Sequence, residues 1–178
     1  MDIQVYRNSD FDALLNIYRE CFTGFPWFNK PSYDDAFSRL DRQLRRTDCI
    51  CLVAKVDKKI IGASWCDEIL LVELEQERGG VEASSIIRVN FSDMRLIWLR
   101  ATIVSPAYQG QGLTKKIKIH LHDQIKLKYT KPLIVTRMRS DNIPIIKINT
   151  ELGYKKLGVA TRSKLDALAM DEYWYFEL

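Results

Sequence analysis

No stretch of this 178-residue chain approaches the roughly 20 consecutive apolar residues that span a bilayer, and Met1-Asp2-Ile3-Gln4 lacks the basic and apolar regions of a secretory leader. A membrane role is not expected, and the chain is expected in the cytoplasm. Cysteine and histidine are scarce. Cys21, Cys49, Cys51 and Cys66 form neither a Cys-x-x-Cys pair nor the paired spacing of a zinc site, so they read as reduced thiols. His120 and His122 stand two apart on an expected helix and face different ways, which argues against a shared metal or a catalytic pair. No metal is expected. Repeats, linkers and low-complexity tracts are missing too, and at 47% hydrophobic and 28% charged the chain reads as a single domain over residues 1–178. The charge excess is only +4, gathered in Lys115, Lys116, Lys118, Lys126, Lys128 and Lys131. Such lysines either serve an anionic ligand or solvate a helix face, and the solvated face is the simpler reading. Without a reading motif or interleaved aromatics they do not point to nucleic acid.

What is present is strongly patterned. Phe11, Leu14, Leu15, Tyr18 and Phe22 follow the 3.6-residue period behind Ser9, a helix cap, with Asp10 and Asp12 suiting the positive end. After the aromatic stretch Phe25-Pro26-Trp27-Phe28, Ser32 caps a second helix expected to bury Ala36, Phe37, Leu40 and Leu44. Residues 49–56 and 60–66 favour strands, joined into a hairpin through Asp57-Lys58-Lys59. Residues 67–93 mix Glu73, Glu75, Glu77 and Glu82 with Gly79-Gly80 and are expected to form an extended strand pair with an exposed loop. Residues 95–104 form a long β-prone run that Ser105-Pro106 ends, after which Leu113, Ile117, Leu121 and Ile125 line one side of a helix. A strand over 133–138 follows. Asp141 or Asn142 then caps a helix with Pro144 in its first turn and Gly153 at its end, and strands from Tyr154 and from Tyr173 complete the sheet.

The stretch Val104-Ser105-Pro106-Ala107-Tyr108-Gln109-Gly110-Gln111-Gly112-Leu113-Thr114 places two glycines and a run of free backbone N–H groups between a strand and a helix. The first N–H groups of a helix lack internal partners and sit at the positive end of its dipole, so a glycine turn there can bind a pyrophosphate without a cationic side chain. A side chain at either glycine would hold the phosphate away. The third glycine of a dinucleotide fingerprint is replaced by Lys115, and the Gly-Lys-Ser/Thr of a P-loop is absent.

Gln109, Gly112, Val104 and Pro106 instead resemble the pyrophosphate motif of the GNAT superfamily of N-acetyltransferases, with Thr114 departing from its small final residue. Asn142, Ile145, Ile146, Ile148 and Leu152-Gly153-Tyr154 resemble a later GNAT segment, and the element order matches over nearly the whole chain. The resemblance implies an α/β (α+β) fold with a mixed, mostly antiparallel central sheet, flanked by helices and splayed where the strand ending at Val104 parts from the strand at 133–138. It implies acetyl-CoA as co-substrate, held by Thr102, Ile103, Val104, Gln109, Gly110, Gln111, Gly112, Leu113 and Thr114, with Asn142 close to it. It also implies direct transfer to a primary amine of a small molecule or peptide, and paired subunits are frequent in the family, so a homodimer is compatible with it.

The catalytic groups depart from the family. The glutamate often found before the pyrophosphate loop is missing from Trp98-Leu99-Arg100-Ala101-Thr102, and Asn149 stands where the usual tyrosine acid would be. Substitutes by residue type are Asp67, Glu68, Glu73 and Glu75 as base, and Tyr154, Tyr173 or Tyr175 as acid; Glu68, Tyr154 and Tyr173 are the candidates retained. Trp27 either lines an acceptor pocket or closes the core. The missing glutamate and tyrosine also allow a non-catalytic acyl-CoA-binding sensor or structural module.

Overall fold

The computed structural model describes residues 1–24, 26–164, 166 and 168–178; Phe25 of the aromatic stretch lies outside the described residues. The elements are β1 (Asp2–Val5), a 3-10 turn (Asn8–Asp10), α1 (Phe11–Cys21), α2 (Tyr33–Leu44), β2 (Ile50–Val56), β3 (Lys59–Glu68), α3 (Leu71–Leu74), α4 (Gly80–Asn90), β4 (Arg95–Val104), a 3-10 turn (Pro106–Tyr108), α5 (Leu113–Lys128), β5 (Pro132–Arg139), α6 (Ile143–Glu151), β6 (Lys155–Arg162) and β7 (Met170–Glu177). Hydrogen bonding orders the seven strands β1-β2-β3-β4-β5-β7-β6. The β1–β2, β2–β3, β5–β7 and β6–β7 pairs are antiparallel and β4–β5 is parallel, so the fold is the expected mixed α/β, mostly antiparallel sheet. No helix among the described residues is long and apolar enough to cross a membrane.

The chain divides into two compact units, Met1–Asp67 with Arg100–Ile125, and Glu68–Leu99 with Lys126–Leu178. In the first, α1 and α2 bury Leu14, Leu15, Tyr18, Ala36 and Leu40 against Val53, Ala63, Trp65 and Ile103. Trp65 is fully buried, and its indole N–H donates to Gln43 Oε1 of α2 at 2.8 Å; left without an acceptor, such a donor would cost about 1–3 kcal/mol. The β2–β3 hairpin closes through Asp57 and Lys58 at φ 48° and 66°, the left-handed pair that a two-residue hairpin turn requires. Ser32 caps α2 as expected, accepting the Asp35 N–H at 3.1 Å. Ser9 does not cap α1. It lies within the 3-10 turn, and the Asp10 carboxylate instead accepts the Arg7 N–H at 3.1 Å and the Lys55 ammonium at 2.5 Å. Phe37, expected in the core, is 40% exposed and packs edge-on against Phe11.

The second unit corrects the reading of residues 67–93. Asp67 and Glu68 are the end of β3 rather than residues after it, and helices α3 and α4 replace the expected strand pair. The reason is local. Gly79, at φ 71°, precedes α4, and a Cβ on Gly80 would fall 1.8 Å from the Leu74 carbonyl oxygen, so α4 packs on α3 through a backbone contact only glycine permits. Glu73 accepts the Leu70 N–H at 2.8 Å at the start of α3, and Glu75 accepts the Ser84 hydroxyl at 2.9 Å, so two of the acids that suggested an exposed loop fix the helices instead. Ala83 and Ile87 of α4 then join Leu96, Trp98, Leu133, Val135 and Tyr173 in one cluster.

Candidate functional site

The β4–β5 ladder is short. Its partners run from Arg95↔Pro132 to Trp98↔Val135 and stop, although β4 continues to Val104. At the first residue past the ladder the Leu99 carbonyl accepts a side chain, the Thr136 hydroxyl at 3.1 Å. The expected parting of these strands requires such an early end to their pairing.

Beyond it β4 delivers the chain into the glycine turn, which lies wholly in the first unit. Ser105 N–H bonds to the Ile61 carbonyl at 2.9 Å, Pro106–Tyr108 make a 3-10 turn, and Gly110 and Gly112 sit at φ 75° and 73°. A Cβ built on either glycine meets nothing within 4 Å, so these glycines serve backbone conformation and open space rather than protein packing. The first bond of α5 runs from Lys116 N–H to the Gly112 carbonyl at 3.2 Å, so the N–H groups of Leu113, Thr114 and Lys115 precede the ladder of the helix. No acidic residue stands in that first turn to offset the positive end of the 16-residue helix. Leu113 anchors the turn from beneath, packed with Ile61, Val104 and Ile117.

Gln109, Gly110, Gln111, Gly112, Leu113 and Thr114 are thus brought into one turn. Gln109 has an internal role: its Nε2 donates to the Val104 carbonyl at 3.0 Å. The same oxygen accepts the Cys21 thiol at 3.2 Å, a contact that no local pattern predicts, and burial pushes that thiol up to about 12. Thr102 sets its hydroxyl 2.8 Å from that of Ser64, and Ile103 is buried in the α1–α2 core.

The remaining candidates belong to other surroundings. Asp67 is 1% exposed and held by Arg100 through Nε at 2.5 Å and Nη2 at 2.8 Å; Arg46 Nε also lies 2.7 Å away, close enough for charge pairing without the alignment of a hydrogen bond. Glu68, in the second unit, accepts from Arg95 at 3.0 Å. Tyr154 is buried and stacks on Phe176, and the fully buried Tyr173 donates to the Arg78 carbonyl at 2.7 Å, its own ionisation pushed up by burial. Tyr175 packs against Phe91. Asn142 precedes α6 without a side-chain cap bond, and its neighbour Asp141, the other expected cap, is gripped by Arg139 at 2.6 and 2.9 Å. Asn149 is buried against the Met138 sulfur. Trp27 is half-buried against Phe22. No group of three or more His, Cys, Asp or Glu residues that could hold a metal occurs among the described residues.

Lys118 overturns the reading of the lysines as one solvated face. It is 1% exposed, on a second buried stripe of α5 with His122 and Ile125. Burial lowers its pKa from 10.5 to about 7, against a smaller opposing effect of Cys66. The native state therefore binds fewer protons than the unfolded chain between these values. Stability from this group is full above pH 10.5 and is lost as pH falls toward 7, with a slope of up to about 1.4 kcal/mol per pH unit. Lys118→Met should lack that slope and be more stable than the parent at pH 7. Urea unfolding of both proteins at pH 7, 8 and 9 checks this, and parallel pH dependences would contradict it.

Residues 11–154 match the profile of the acetyltransferase (GNAT) family. An acetyltransferase of Pectobacterium atrosepticum is 23% identical over 92% of this chain and 94% of its own length. Among solved structures, the ribosomal-protein-alanine N-acetyltransferase of Brucella melitensis superposes with a TM-score of 0.72 at 13% identity over 100% of both chains. The yncA protein of Salmonella typhimurium, solved with its cofactor acetyl-CoA, does so with a TM-score of 0.71 at 16% identity, over 100% of this chain and 94% of its own.

Proposed function

The chain belongs to the acetyltransferase (GNAT) family, and from that premise we propose that it moves an acetyl group from acetyl-CoA to a primary amine of a small molecule or peptide by direct transfer. The observation that carries the reading is the turn itself: two left-handed glycines with open space above them, at the N-terminus of a helix without an acid in its first turn. Gly110, Gln111, Gly112, Leu113 and Thr114 would present N–H groups to the pyrophosphate, while the Thr102–Val104 backbone, beyond the end of the β4–β5 ladder, would bond the pantetheine amides. Gln109 would act through the Val104 carbonyl it holds, and Asn142 would lie beside the cofactor. A fold relative solved with acetyl-CoA supports this use of the architecture. The single-domain reading of residues 1–178 and a homodimeric assembly belong to the same proposal.

In direct transfer the neutral amine attacks the thioester carbonyl, the amine proton passes to a base or to water, and the coenzyme A thiolate leaves and is protonated. A lysine-like amine has a reference pKa of about 10.4, so deprotonation needs assistance near neutrality. No residue is assigned as base or acid: Glu68, Tyr154 and Tyr173 are candidates by residue type alone, with Glu68 paired to Arg95 and Tyr173 buried and bonded to the Arg78 carbonyl. Purified protein mixed with acetyl-CoA and a panel of amines should release free thiol only when both are present.

A second reading, a non-catalytic acyl-CoA-binding sensor or structural module, is favoured by one observation: Asp67, Glu68, Glu73 and Glu75 are each engaged by arginine or by local helix bonds. Coenzyme A binding in calorimetry with no thiol release across the panel would select it.

A further inference from the structure

Before α2 the chain walls a cavity of about 380 Å³ with Asn29, Lys30, Asp35, Ser38, Arg39 and Arg42 among its lining residues. We infer that this cavity binds a small multiply charged oxyanion, a molecule carrying carboxylate or phosphate groups, at a site that shares no residue with the glycine turn. Charge is the first reason. Three cations face one acid, and that acid is occupied: Asp35 accepts the Ser32 hydroxyl at 2.6 Å while its own N–H donates to Ser32 Oγ at 3.1 Å. Among the described residues no carboxylate lies within ion-pair distance of Lys30, Arg39 or Arg42. The contrast lies a few residues on, where Arg45 pairs with Asp41 at 2.6 Å and Arg46 with Asp48 and Asp67.

Preorganisation is the second reason. Arg19 Nε donates to the Pro31 carbonyl at 3.2 Å and the Asn29 N–H to the Phe22 carbonyl at 2.9 Å, so the loop wall is tied to α1 and to the residue after it without a ligand. Arg39 and Arg42, one turn apart on α2, repel each other unless an anion lies between or beside them. Guanidinium forks match carboxylate and phosphate oxygens two at a time, and the Ser38 hydroxyl and Asn29 amide offer further donors. The volume is at the lower end of small-molecule sites, the size of a di- or tricarboxylate or a phosphate ester rather than of a whole nucleotide cofactor.

Calorimetry of the full chain with citrate and, separately, with inorganic phosphate tests the site, and the better probe shows which oxyanion class it prefers. Arg39→Ala with Arg42→Ala should weaken binding at least about tenfold, whereas Asp35→Asn, which removes the one opposing charge, should tighten it. Both arginines are exposed on a helix face that tolerates alanine; should the double variant melt abnormally, Lys30→Ala in the loop carries the same expectation. The inference is overturned if neither anion binds, if the cavity variants bind as the parent does, or if coenzyme A displaces the anion, which would assign the cavity to the cofactor's own phosphates.

Discussion

Gly112→Val should weaken coenzyme A binding by at least about 100-fold, roughly 2.7 kcal/mol, while the protein stays folded. At φ 73° a β-branched residue is strained, by about 1–3 kcal/mol, yet its Cβ has no protein atom within 4 Å apart from its chain neighbours. Two outcomes are open to the turn and both remove the site. If the backbone holds, the valine methyls occupy the space above the N–H groups of Leu113 and Thr114. If it relaxes, those N–H groups no longer converge. Gly112→Asn separates the two, since asparagine tolerates the left-handed region: strain is then largely relieved and the loss that remains reports obstruction. Calorimetry gives the affinity and thermal melting the integrity of the fold. Parental affinity in the folded valine variant would remove the cofactor from this turn.

The conformation of the turn was legible because it is set by the backbone, and glycine spacing between a strand and a helix period is written in the residues. The same holds for the hairpin at Asp57-Lys58, for Ser32 as a cap, and for the stripe Leu113, Ile117, Leu121 and Ile125, each buried as its spacing requires. Residues 67–93 failed for a physical reason. Gly79 and Gly80 punctuate a loop in most contexts, and only tertiary packing shows that Gly80 is needed for its approach to Leu74. Ala83 and Ile87 did stand at helical spacing, but two small or medium residues carry little signal among so many acids. Lys118 was hidden by its charge, although its spacing to His122 and Ile125 marked a second stripe. The Val104 carbonyl contact of Cys21 joins residues 83 positions apart, and no local pattern announces it.

Asp67→Ala should cost about 3–5 kcal/mol of stability, the range for removing one partner of a buried ion pair. Asp67 has 1% of its surface exposed and the Arg100 side chain 13%, and the fork of Arg100 spans both carboxylate oxygens. Alanine at 67 would take from that desolvated guanidinium the carboxylate it holds with two nitrogens, while Arg46 keeps a second positive charge nearby. The arithmetic changes when both charges go. Asp67→Leu with Arg100→Met replaces the pair by apolar groups, escapes the penalty of a lone buried charge, and should recover most of the lost stability in urea unfolding. The same pair of variants bears on catalysis. Asp67 is 1% exposed with both oxygens bonded by Arg100, which leaves an amine little access to it, so the apolar double variant, once shown to be folded, should keep thiol release within about tenfold of the parent, less than the factor general-base catalysis contributes. Collapse of turnover with coenzyme A affinity intact would instead make Asp67 the missing base and Arg100 its positioning partner.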